Sequence, residues 1–344
     1  MMRKLNFALV GTGMIAAHHM AAMDYVEGAV ATGVYGALPD QAKAFAEKYG
    51  LKQYETLEAL LADPEIDVIT ICTPSGSHAE IAIKAMTAGK HVVCEKPLAL
   101  TNEDCLAVVE TAKKYNRKCE VICQLRFADS IKAVKKVVDE GHLGKLTSVG
   151  VHMKYWRTDE YYDASDWRGT WKHDGGGALM NQGIHGIDLL RFFVGSPKKI
   201  SAICNTLAHK IEVEDTAVAI MEFEGGTVGV IEGTTSVYPG YSRRLELCGT
   251  KGSIVLIEDQ IEKWDVEGIE MPEFEKRTGG FGASDPNAID CRGHAKQFND
   301  IVNAIKNDLP VANGAADGAA TVELILGVYE AAKAKKQIDF NTKY

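Results

Sequence analysis

Residues Leu5–Ala16, LNFALVGTGMIA, join a short apolar run to a glycine-rich turn and the start of an apolar helix. The run Leu5–Val10 stops at glycine, which indicates a buried strand. Gly11 permits the tight turn, Gly13 lets the backbone approach a ligand closely, and Ala16 is small enough for helix and strand to pack. In this position the pattern G-x-G-x-x-A predicts a dinucleotide-binding loop, with the pyrophosphate at the N-terminus of the helix.

Strands and helices alternate from this loop to about Gln124. The apolar runs that indicate further strands are Ala29–Tyr35, Val68–Ile71, His91–Cys94 and Lys118–Cys123. The helices predicted around them are Met14–Met23, Pro39–Tyr49, Ser77–Ala88 and Asn102–Tyr115. Strands that are apolar throughout and alternate with helices predict a parallel sheet covered on both faces.

The rhythm changes after Gln124, where one helix, Ser130–Glu140, is followed by strands in succession. The strands predicted are Thr147–Lys154, Lys199–Leu207, Thr216–Phe223, Thr227–Thr235, Arg243–Cys248 and Ser253–Ile257. Glu224-Gly225-Gly226 indicates a hairpin between two of them. The remaining helices predicted are Gly183–Val194, His294–Asn307 and Gly318–Ala334.

The chain is therefore predicted to be an α/β doubly wound Rossmann domain over residues 1–124 followed by an α+β domain over residues 125–344. The second domain would hold an open, mostly antiparallel sheet and serve substrate binding and oligomerisation. Its last helices are candidates for packing back on the first domain. A length of 344 residues fits two domains at roughly 150 residues each.

Composition narrows the class of protein. A formal net charge of −9 argues against nucleic acid or an anionic membrane as the main partner, because both need a basic surface. The first apolar stretch, Phe7–Val10, is too short for a signal peptide or a membrane span, so a cytoplasmic location is expected. No C-x-x-C spacing occurs among the eight cysteines. Cys119 and Cys123 are interpreted as buried reduced thiols of one strand rather than a metal pair, and no metal site is predicted.

The residue that would bind the adenosine ribose is missing. A carboxylate is expected at the end of the second strand, about 20 residues after the glycine loop. Gly36 occupies that place, and no arginine follows to receive a 2′-phosphate. The sequence leaves NAD and NADP both open, and the lack of a basic residue from Gly36 to Gln41 favours NAD.

A lysine follows the strand His91–Cys94, in the segment Glu95-Lys96-Pro97. Ligands of open parallel sheets bind beyond the carboxyl ends of the strands, so Lys96 is predicted to share a crevice with the glycine loop. Its ammonium would hold a substrate hydroxyl, stabilise negative charge that develops on oxygen, or shuttle a proton. The alternative from position alone is a surface lysine paired with Glu95.

A second constellation runs from Asp174 to Asp188, DGGGALMNQGIHGID. Asn181 and His185 are four residues apart, so at a helix start they share one face. Asp188 is placed to orient the imidazole, and histidine suits the removal of a hydroxyl proton. The alternative is a buried histidine with a structural role.

Two further segments carry polar groups. Thr73-Pro74-Ser75-Gly76-Ser77-His78 follows the strand Val68–Ile71 and should lie near the cofactor, where His78 is interpreted as packing support more than as a catalyst. Arg168 stands between Trp167 and Trp171. It would bind a phosphate or stack on a ring, or it belongs to simple core packing.

Together these residues resemble the Gfo/Idh/MocA oxidoreductases, the family of glucose–fructose oxidoreductase and inositol dehydrogenase. The resemblance spans nearly the whole chain and implies hydride transfer between nicotinamide and a ring carbon of a sugar or cyclitol. Lys96 and His185 match the catalytic lysine and histidine of the family. His185 would take the hydroxyl proton, Lys96 would hold the same oxygen, and Asn181 would donate or accept one hydrogen bond to a neighbouring hydroxyl. Inositol dehydrogenases carry aspartate in place of Asn181, which weakens an inositol assignment.

The predicted site has two parts. The substrate-binding set is Lys96, Asn181, His185, Arg126 and Tyr155, and the substrate is expected where the two domains meet. The cofactor-binding set is Gly11, Thr12, Gly13, Met14, Ile15, Gly36, Thr73, Pro74, His78, Glu95, Lys96, Gln124, Trp167 and Arg168.

Two alternatives stay open. Arg157–Trp171 with Asn181-Gln182 resembles family members that oxidise UDP-linked sugars at the 3-position, although nothing obviously clamps a UDP group. A non-catalytic NAD(P)-binding regulator is a different class, and the presence of both Lys96 and His185 argues against it.

Two structural expectations follow. An open antiparallel sheet leaves one face uncovered unless something packs on it, so a homodimer or homotetramer formed through that face is predicted. The resemblance also predicts a cis peptide bond between Lys96 and Pro97.

Overall fold

The computed structural model describes residues 3–274 and 290–344. Its described residues form two compact units. The first comprises the residues up to Gln124 together with Cys291–Ala319, and the second comprises those from Leu125 to Asp290 together with Ala320–Tyr344. Residues 291–319, which the sequence assigns to the second domain while allowing its last helices to pack back, therefore group with the first unit.

The secondary structure follows the predicted order closely. The strands are β1 (Leu5–Val10), β2 (Ala29–Tyr35), β3 (Lys52–Gln53), β4 (Val68–Ile71), β5 (His91–Cys94), β6 (Cys119–Val121), β7 (Leu146–Lys154), β8 (Lys199–Asn205), β9 (Thr216–Glu222), β10 (Val228–Thr234), β11 (Arg244–Gly249), β12 (Gly252–Ile257), β13 (Gln260–Val266) and β14 (Ile338–Asp339). The helices are α1 (Met14–Met23), α2 (Pro39–Tyr49), α3 (Leu57–Ala62), α4 (His78–Thr87), α5 (Asn102–Lys114), α6 (Asp129–Asp139), α7 (Asp159–Asp163), α8 (Ile184–Val194), α9 (Arg292–Asn307) and α10 (Ala315–Ala334).

The first unit is built on a parallel sheet of six strands in the order β3-β2-β1-β4-β5-β6. All four residues of β4 are buried, and because neighbouring residues on a strand point to opposite faces, both faces of the sheet are covered. On one face Phe7 packs with Ala22 of α1 and Phe298 of α9 in a single apolar cluster. The predicted doubly wound parallel sheet is confirmed, and this cluster is why α9 belongs to the first unit.

The second unit is built on an eight-stranded sheet in the order β13-β12-β11-β7-β10-β9-β8-β14. The pairing is antiparallel except between β7 and β10. Glu224–Gly226 joins β9 to β10, and Gly225 and Gly226 take φ of +73° and +85°, values that favour glycine. The open, mostly antiparallel sheet and its predicted hairpin are confirmed.

Two smaller predictions have clear outcomes. The Lys96–Pro97 peptide bond is cis, as predicted. Cys119 and Cys123 are both buried and reduced, but β6 ends at Val121, so Cys123 lies past the strand rather than within it. Among the described residues, no helix is both long and apolar enough to cross a membrane.

Candidate active site

The two glycines of the first loop have different physical roles. Gly11 takes a φ of +109°, and a Cβ there would lie 2.5 Å from the carbonyl oxygen of Cys72, so only glycine fits the turn. Gly13 precedes α1, is exposed, and a Cβ on it would meet nothing within 4 Å. The backbone is therefore tight at the sheet and open at the helix start, where free N–H groups and the helix dipole favour a phosphate. These residues fit the pyrophosphate of a dinucleotide.

The other polar segments of the first unit follow neighbouring strands. β1 lies between β2 and β4 in the sheet, and the strand order reverses there, which is where open α/β sheets bind ligands. Thr73 and Pro74 follow β4, and Lys96 follows β5. Lys96 is partly exposed, whereas every other residue from Val92 to Ala99 is buried. The lysine is thus the one side chain of this segment that is accessible at the carboxyl edge of the sheet.

Glu95 faces the interior of the first unit. Its carboxylate lies 2.8 Å from His19 Nε2 and accepts the backbone N–H of Lys96 at 3.2 Å, while His294 Nε2 lies 3.8 Å away at ion-pair distance. Burial alone would raise the pKa of Glu95, but the two imidazoles lower that pKa well below its usual range. The ionised carboxylate of Glu95 therefore fixes the backbone of Lys96, and its contact with the cofactor stays a prediction.

His78 is fully engaged with backbone carbonyl groups. Its Nδ1 lies 2.7 Å from the oxygen of Pro97, and its Nε2 lies 2.9 Å from the oxygen of Thr73. Burial lowers the pKa of His78, which favours the neutral ring, although only a protonated ring donates to both oxygens at once. When it donates to Pro97, the imidazole links the segment after β4 to the segment after β5, which favours packing support over catalysis.

Gly36 is confined at the end of β2. A Cβ there would lie 3.0 Å from Thr12 Cγ2 and 3.3 Å from the Cβ of Ala42. A side chain at this position, where a carboxylate that binds the ribose is expected, would therefore be crowded.

In the second unit the segment Asp174–Leu190 is buried except for Asn181, Gln182 and His185, which are partly exposed. It begins with a π-helical stretch, Ala178–Gly183, that runs into α8. Single π-helical turns are frequent at functional sites. Three polar side chains therefore emerge together from an otherwise buried segment, and His185 is the titratable one.

Close packing explains two glycines near the start of this segment, Gly176 and Gly177. A Cβ on Gly177 would lie 1.9 Å from the carbonyl oxygen of Glu214, and one on Gly176 would lie 2.2 Å from Tyr329 Oη. The Glu214 carboxylate accepts the N–H groups of Gly177 and Leu179. The glycines are thus required by packing, and they let Glu214 anchor the start of the π-helical stretch.

Polar contacts hold the exposed residues in place. Asn181 Nδ2 donates to Asp174 Oδ1 at 2.8 Å, and Gln182 Nε2 donates to the hydroxyl of Tyr161 at 2.7 Å. Arg157 Nη2 donates to Gln182 Oε1 at 2.7 Å. Gln182 therefore bridges a guanidinium and a phenol beside Asn181.

Arg126 and Asp188 have partners that the sequence did not predict. Arg126 Nε and Nη2 donate to the two carboxylate oxygens of Asp188 at 2.7 and 2.6 Å, and Thr321 donates to one of them at 3.0 Å. Asp188 was suggested to orient His185, but its two oxygens bind Arg126 and Thr321. The reason is burial, because a buried carboxylate needs a charged partner.

The remaining predicted site residues differ in how exposed they are and in what they contact. Tyr155 is buried, and desolvation raises its pKa to about 12. Arg168 donates to the carbonyl of Tyr161 and stacks on that ring and on Trp167 at 4.4 and 5.3 Å. Gln124 is buried at the end of the first unit's leading segment. Met14 and Ile15, which are predicted to bind the cofactor, open α1, where Met14 is exposed.

Several residues of the site were missed by sequence reasoning. Asp174, Tyr161 and Gln182 were not assigned roles, and neither were His19 and His294. The adjacent histidines His18 and His19 of α1 were a sequence signal that could have indicated the contact with Glu95. The contact of Asp174 with Asn181 depends on the conformation of the π-helical stretch, which the sequence does not indicate.

Comparison with known proteins finds family matches in both units. Residues 5–123 match the family described as "Oxidoreductase family, NAD-binding Rossmann fold", and residues 131–255 match the "GFO/IDH/MocA C-terminal domain". The WlbA dehydrogenase from Bordetella pertussis, solved in complex with NADH and UDP-GlcNAcA, superposes with a TM-score of 0.89 at 30% identity, covering 99% of this chain and 100% of that one. Inositol 2-dehydrogenase of Rhizobium meliloti is 26% identical over 345 residues, 97% of this chain and 98% of the relative. Levoglucosan dehydrogenase of Pseudarthrobacter phenanthrenivorans is 29% identical over 289 residues, 74% of each chain.

Proposed function

The chain belongs to the Gfo/Idh/MocA family of NAD-dependent oxidoreductases, and we propose that it transfers a hydride between a ring CH–OH carbon of a sugar or cyclitol and NAD. The observation that carries the proposal is the pairing of an NAD-binding domain with an accessible lysine, Lys96, and an accessible histidine, His185. The named relatives, an inositol 2-dehydrogenase and a levoglucosan dehydrogenase, support the substrate class.

The backbone of Gly11–Ile15 would hold the pyrophosphate of NAD, with Thr73 and Pro74 beside it. Bound NAD⁺ supplies the hydride acceptor for alcohol oxidation. His78 contacts the backbone of Thr73 and Pro97, which holds in place the segments that follow β4 and β5.

His185 would take the proton from the reacting hydroxyl. It stands at the start of α8 on a partly exposed face, and histidine is the side chain whose ordinary pKa suits proton exchange near neutral pH. Positioned acid–base catalysis is worth roughly 10²–10⁴-fold in rate. Lys96 would hold the same oxygen and stabilise the negative charge that develops on it as the proton leaves. Its backbone is fixed for this by the buried Glu95.

Oxidation of a UDP-linked sugar is the second candidate. The WlbA dehydrogenase superposes with a TM-score of 0.89 at 30% identity, whereas a levoglucosan dehydrogenase solved with NADH superposes over the same share of both chains with a TM-score of 0.84 at 25% identity. The guanidinium groups of Arg157 and Arg168, which stack on Tyr161, lie in the segment that resembles members acting on UDP-sugars. Cations of this kind suit the phosphates or the carboxylate of a nucleotide-linked sugar.

The active form is proposed to be a homodimer or homotetramer that pairs through the open sheet face. Ile203 opposes Val218 and Ile220 opposes Val230 across neighbouring strands, so their side chains share one face. Ile203 and Ile220 are 69% and 63% exposed. Contiguous exposed apolar surface of this kind marks an interaction site.

A substrate screen tests the proposed function. Purified enzyme is mixed with NAD⁺ and, in turn, with free polyols, free sugars, anhydrosugars and UDP-sugars, and NADH formation is followed. Turnover with a ring alcohol that falls at least about 10²-fold in both Lys96→Ala and His185→Ala supports the proposal. Tight NADH binding without turnover on any class would identify a non-catalytic regulator instead. Preference for UDP-sugars over free sugars would select the second candidate.

A further inference from the structure

We infer that His19 is a positioning residue, which holds the Glu95 carboxylate and thereby fixes the main chain of Lys96 relative to the helix that opens on the cofactor loop. The inference rests on the proposed function for the role of Lys96. It goes beyond that function because it assigns a part in the reaction to a buried residue of α1. His19 acts through Glu95 and not on the substrate itself.

The imidazole of His19 joins three elements of the first unit. It lies on α1 and is 1% exposed. Its Nε2 lies 2.8 Å from Oε1 of Glu95, which follows β5, and its Nδ1 lies 3.0 Å from Oγ1 of Thr70 on β4. The Sγ atom of Cys72 lies 3.3 Å from the same Nδ1. Both ring nitrogens therefore contact the strands beneath the helix, and these contacts fix the orientation of the ring.

Glu95 connects this ring to Lys96. Its Oε1 contacts His19, and its Oε2 accepts the backbone N–H of Lys96 at 3.2 Å. An ionised carboxylate only accepts hydrogen bonds, so Nε2 of His19 carries the hydrogen that it donates. The two oxygens belong to one planar group, so the carboxylate cannot turn at one contact without moving the other. A change at His19 is therefore transmitted to the main chain of Lys96.

A second imidazole lies near the same carboxylate. His294 Nε2 is 3.8 Å from the Glu95 oxygen that His19 contacts at 2.8 Å. A separation of 3.8 Å is beyond hydrogen-bond distance, whereas 2.8 Å is a short hydrogen bond with a preferred direction. His19 is therefore the imidazole that sets the orientation of the carboxylate, and His294 acts on it from further away.

The position of His19 on α1 gives this contact its consequence for the reaction. The same helix begins directly after Gly13, where the pyrophosphate of NAD would lie. Lys96 is thus fixed relative to the helix that would hold the cofactor. Catalysis depends on such placement, because a misplacement of about 1 Å can lower a rate by about 10²-fold.

Two substitutions separate the two contacts of the ring. In His19→Gln the amide nitrogen is as many bonds from Cβ as Nε2 is in histidine, so a donor toward Glu95 is kept. In His19→Asn the amide nitrogen is as many bonds from Cβ as Nδ1 is, so the side chain reaches Thr70 but not Glu95. Each variant gives up one buried contact, so a purely structural role predicts similar losses of Tm and of activity in both.

The first measurement is kcat for the ring alcohol found in the screen. His19→Gln should stay within about threefold of wild type, and His19→Asn should be at least about tenfold slower, the worth of one hydrogen bond to a charged group. Because His19 acts through Lys96, the difference between the two variants should vanish in a Lys96→Ala background. The affinity for NADH, measured by fluorescence titration, should be the same in both variants.

His142→Asn is the matched control. The ring of His142 lies 3.1 Å from a carboxylate oxygen of Glu140, but the two side chains are 37% and 47% exposed, so this histidine–glutamate contact is open to solvent. The kcat and Tm of this variant should equal those of wild type.

The second measurement is hydrogen exchange of the Lys96 amide, followed by NMR in protein labelled with ¹⁵N-lysine, which requires no turnover. Exchange should be at least about tenfold faster in His19→Asn than in His19→Gln. If His19→Asn does not fold, Glu95→Gln replaces it. Its single side-chain oxygen can serve His19 or Lys96 but not both, so exchange should again be faster than in wild type.

Equal exchange of the Lys96 amide in His19→Gln and His19→Asn, or in wild type and Glu95→Gln, would overturn the inference. So would a difference in kcat between the two His19 variants that persists in the Lys96→Ala background. Absence of turnover by wild type on every ring alcohol would refute the proposed function, and the exchange rates would still decide whether His19 fixes the main chain of Lys96.

Discussion

Replacing Arg126 by methionine is predicted to destabilise the second unit strongly. Arg126 and Asp188 are 5% and 2% exposed at their side chains and share two short hydrogen bonds. Methionine keeps much of the apolar stem of arginine but leaves the carboxylate without its charged partner. Removing one partner of a buried ion pair costs about 3–5 kcal/mol, because an uncompensated charge stays in the interior. The loss of folding stability is therefore attributed to the buried Asp188 carboxylate.

The pH dependence of this loss has a definite sign. Burial alone would raise the pKa of Asp188, and the Arg126 guanidinium more than offsets it, so the pKa is lowered in the folded protein. A lowered pKa contributes stability above the unfolded value of about 3.9, and this stability is lost as pH falls through the folded value. In Arg126→Met the largest cause that lowers the pKa of Asp188 is lost, so that pKa should be higher than in wild type, while Arg191 and Thr321 still lower it. The difference in unfolding free energy between the two proteins should be largest near neutral pH and shrink below about pH 4.

Tryptophan fluorescence suits the assay because Trp156, Trp167, Trp171 and Trp264 all lie in the second unit. Urea unfolding is measured for wild type, Arg126→Met and the double variant Arg126→Met/Asp188→Leu. The double variant should recover most of the stability, since no buried charge remains. Lys198→Met is the control. Its pair with Glu224 spans 3.0 Å but is 55% and 85% exposed, so it should cost about 0–1 kcal/mol.

A loss for Arg126→Met no larger than that of Lys198→Met would refute the reasoning. A normal urea midpoint combined with a raised KM for substrate would instead support the sequence assignment of Arg126 to substrate binding.

Three further predictions concern other parts of the chain. Gly13→Ala should weaken NADH binding, measured by fluorescence titration, by about tenfold, or 1.4 kcal/mol, without lowering the Tm of the protein alone. Gly11→Ala should lower that Tm, measured by circular dichroism, because its Cβ would meet backbone atoms. Equal behaviour of the two variants would contradict this. Glu120→Gln should raise the Tm at pH 8 and leave it nearly unchanged near pH 4. Burial raises the pKa of Glu120, so the wild-type protein loses folding stability as pH rises above the ordinary pKa of a carboxyl group. Equal Tm shifts at both pH values would contradict this. Ile220→Glu should reduce the mass measured by light scattering to that of one chain, and Leu106→Glu, an exposed leucine on α5, should not; a monomeric wild type would rule out the assembly.

The parallel sheet could be predicted from the sequence because most of its strands are short, mainly apolar runs that alternate with helical segments. The elements missed were β3, α3, α7, β13 and β14, which have two to seven residues each. Short elements carry too little periodicity to be recognised, and β13 is an edge strand with several exposed residues. The π-helical stretch was missed because it depends on Gly177 packing against Glu214, a contact between distant parts of the chain.

The candidate site likewise contains residues that could be predicted from the sequence and residues that could not. Lys96 and His185 could be predicted because each lies in a local motif whose chemistry is recognisable. The supporting contacts could not, since His19 and Glu95 are 76 residues apart and meet only in the folded unit. Asp188 illustrates the limit of local spacing. Three residues from His185, it was placed beside the imidazole, but its carboxylate binds Arg126, which is 62 residues away.

The central claim is direct hydride transfer from a ring carbon to NAD⁺, and isotope transfer tests it most directly. The ring alcohol found in the screen is prepared with deuterium on the reacting carbon, and the NADH produced is analysed by mass spectrometry and proton NMR. The account predicts one deuterium per NADH formed, a rate slower than with the protonated substrate, and at least about a 10²-fold loss of labelled product in His185→Ala. Unlabelled NADH, or label lost to solvent, would contradict it.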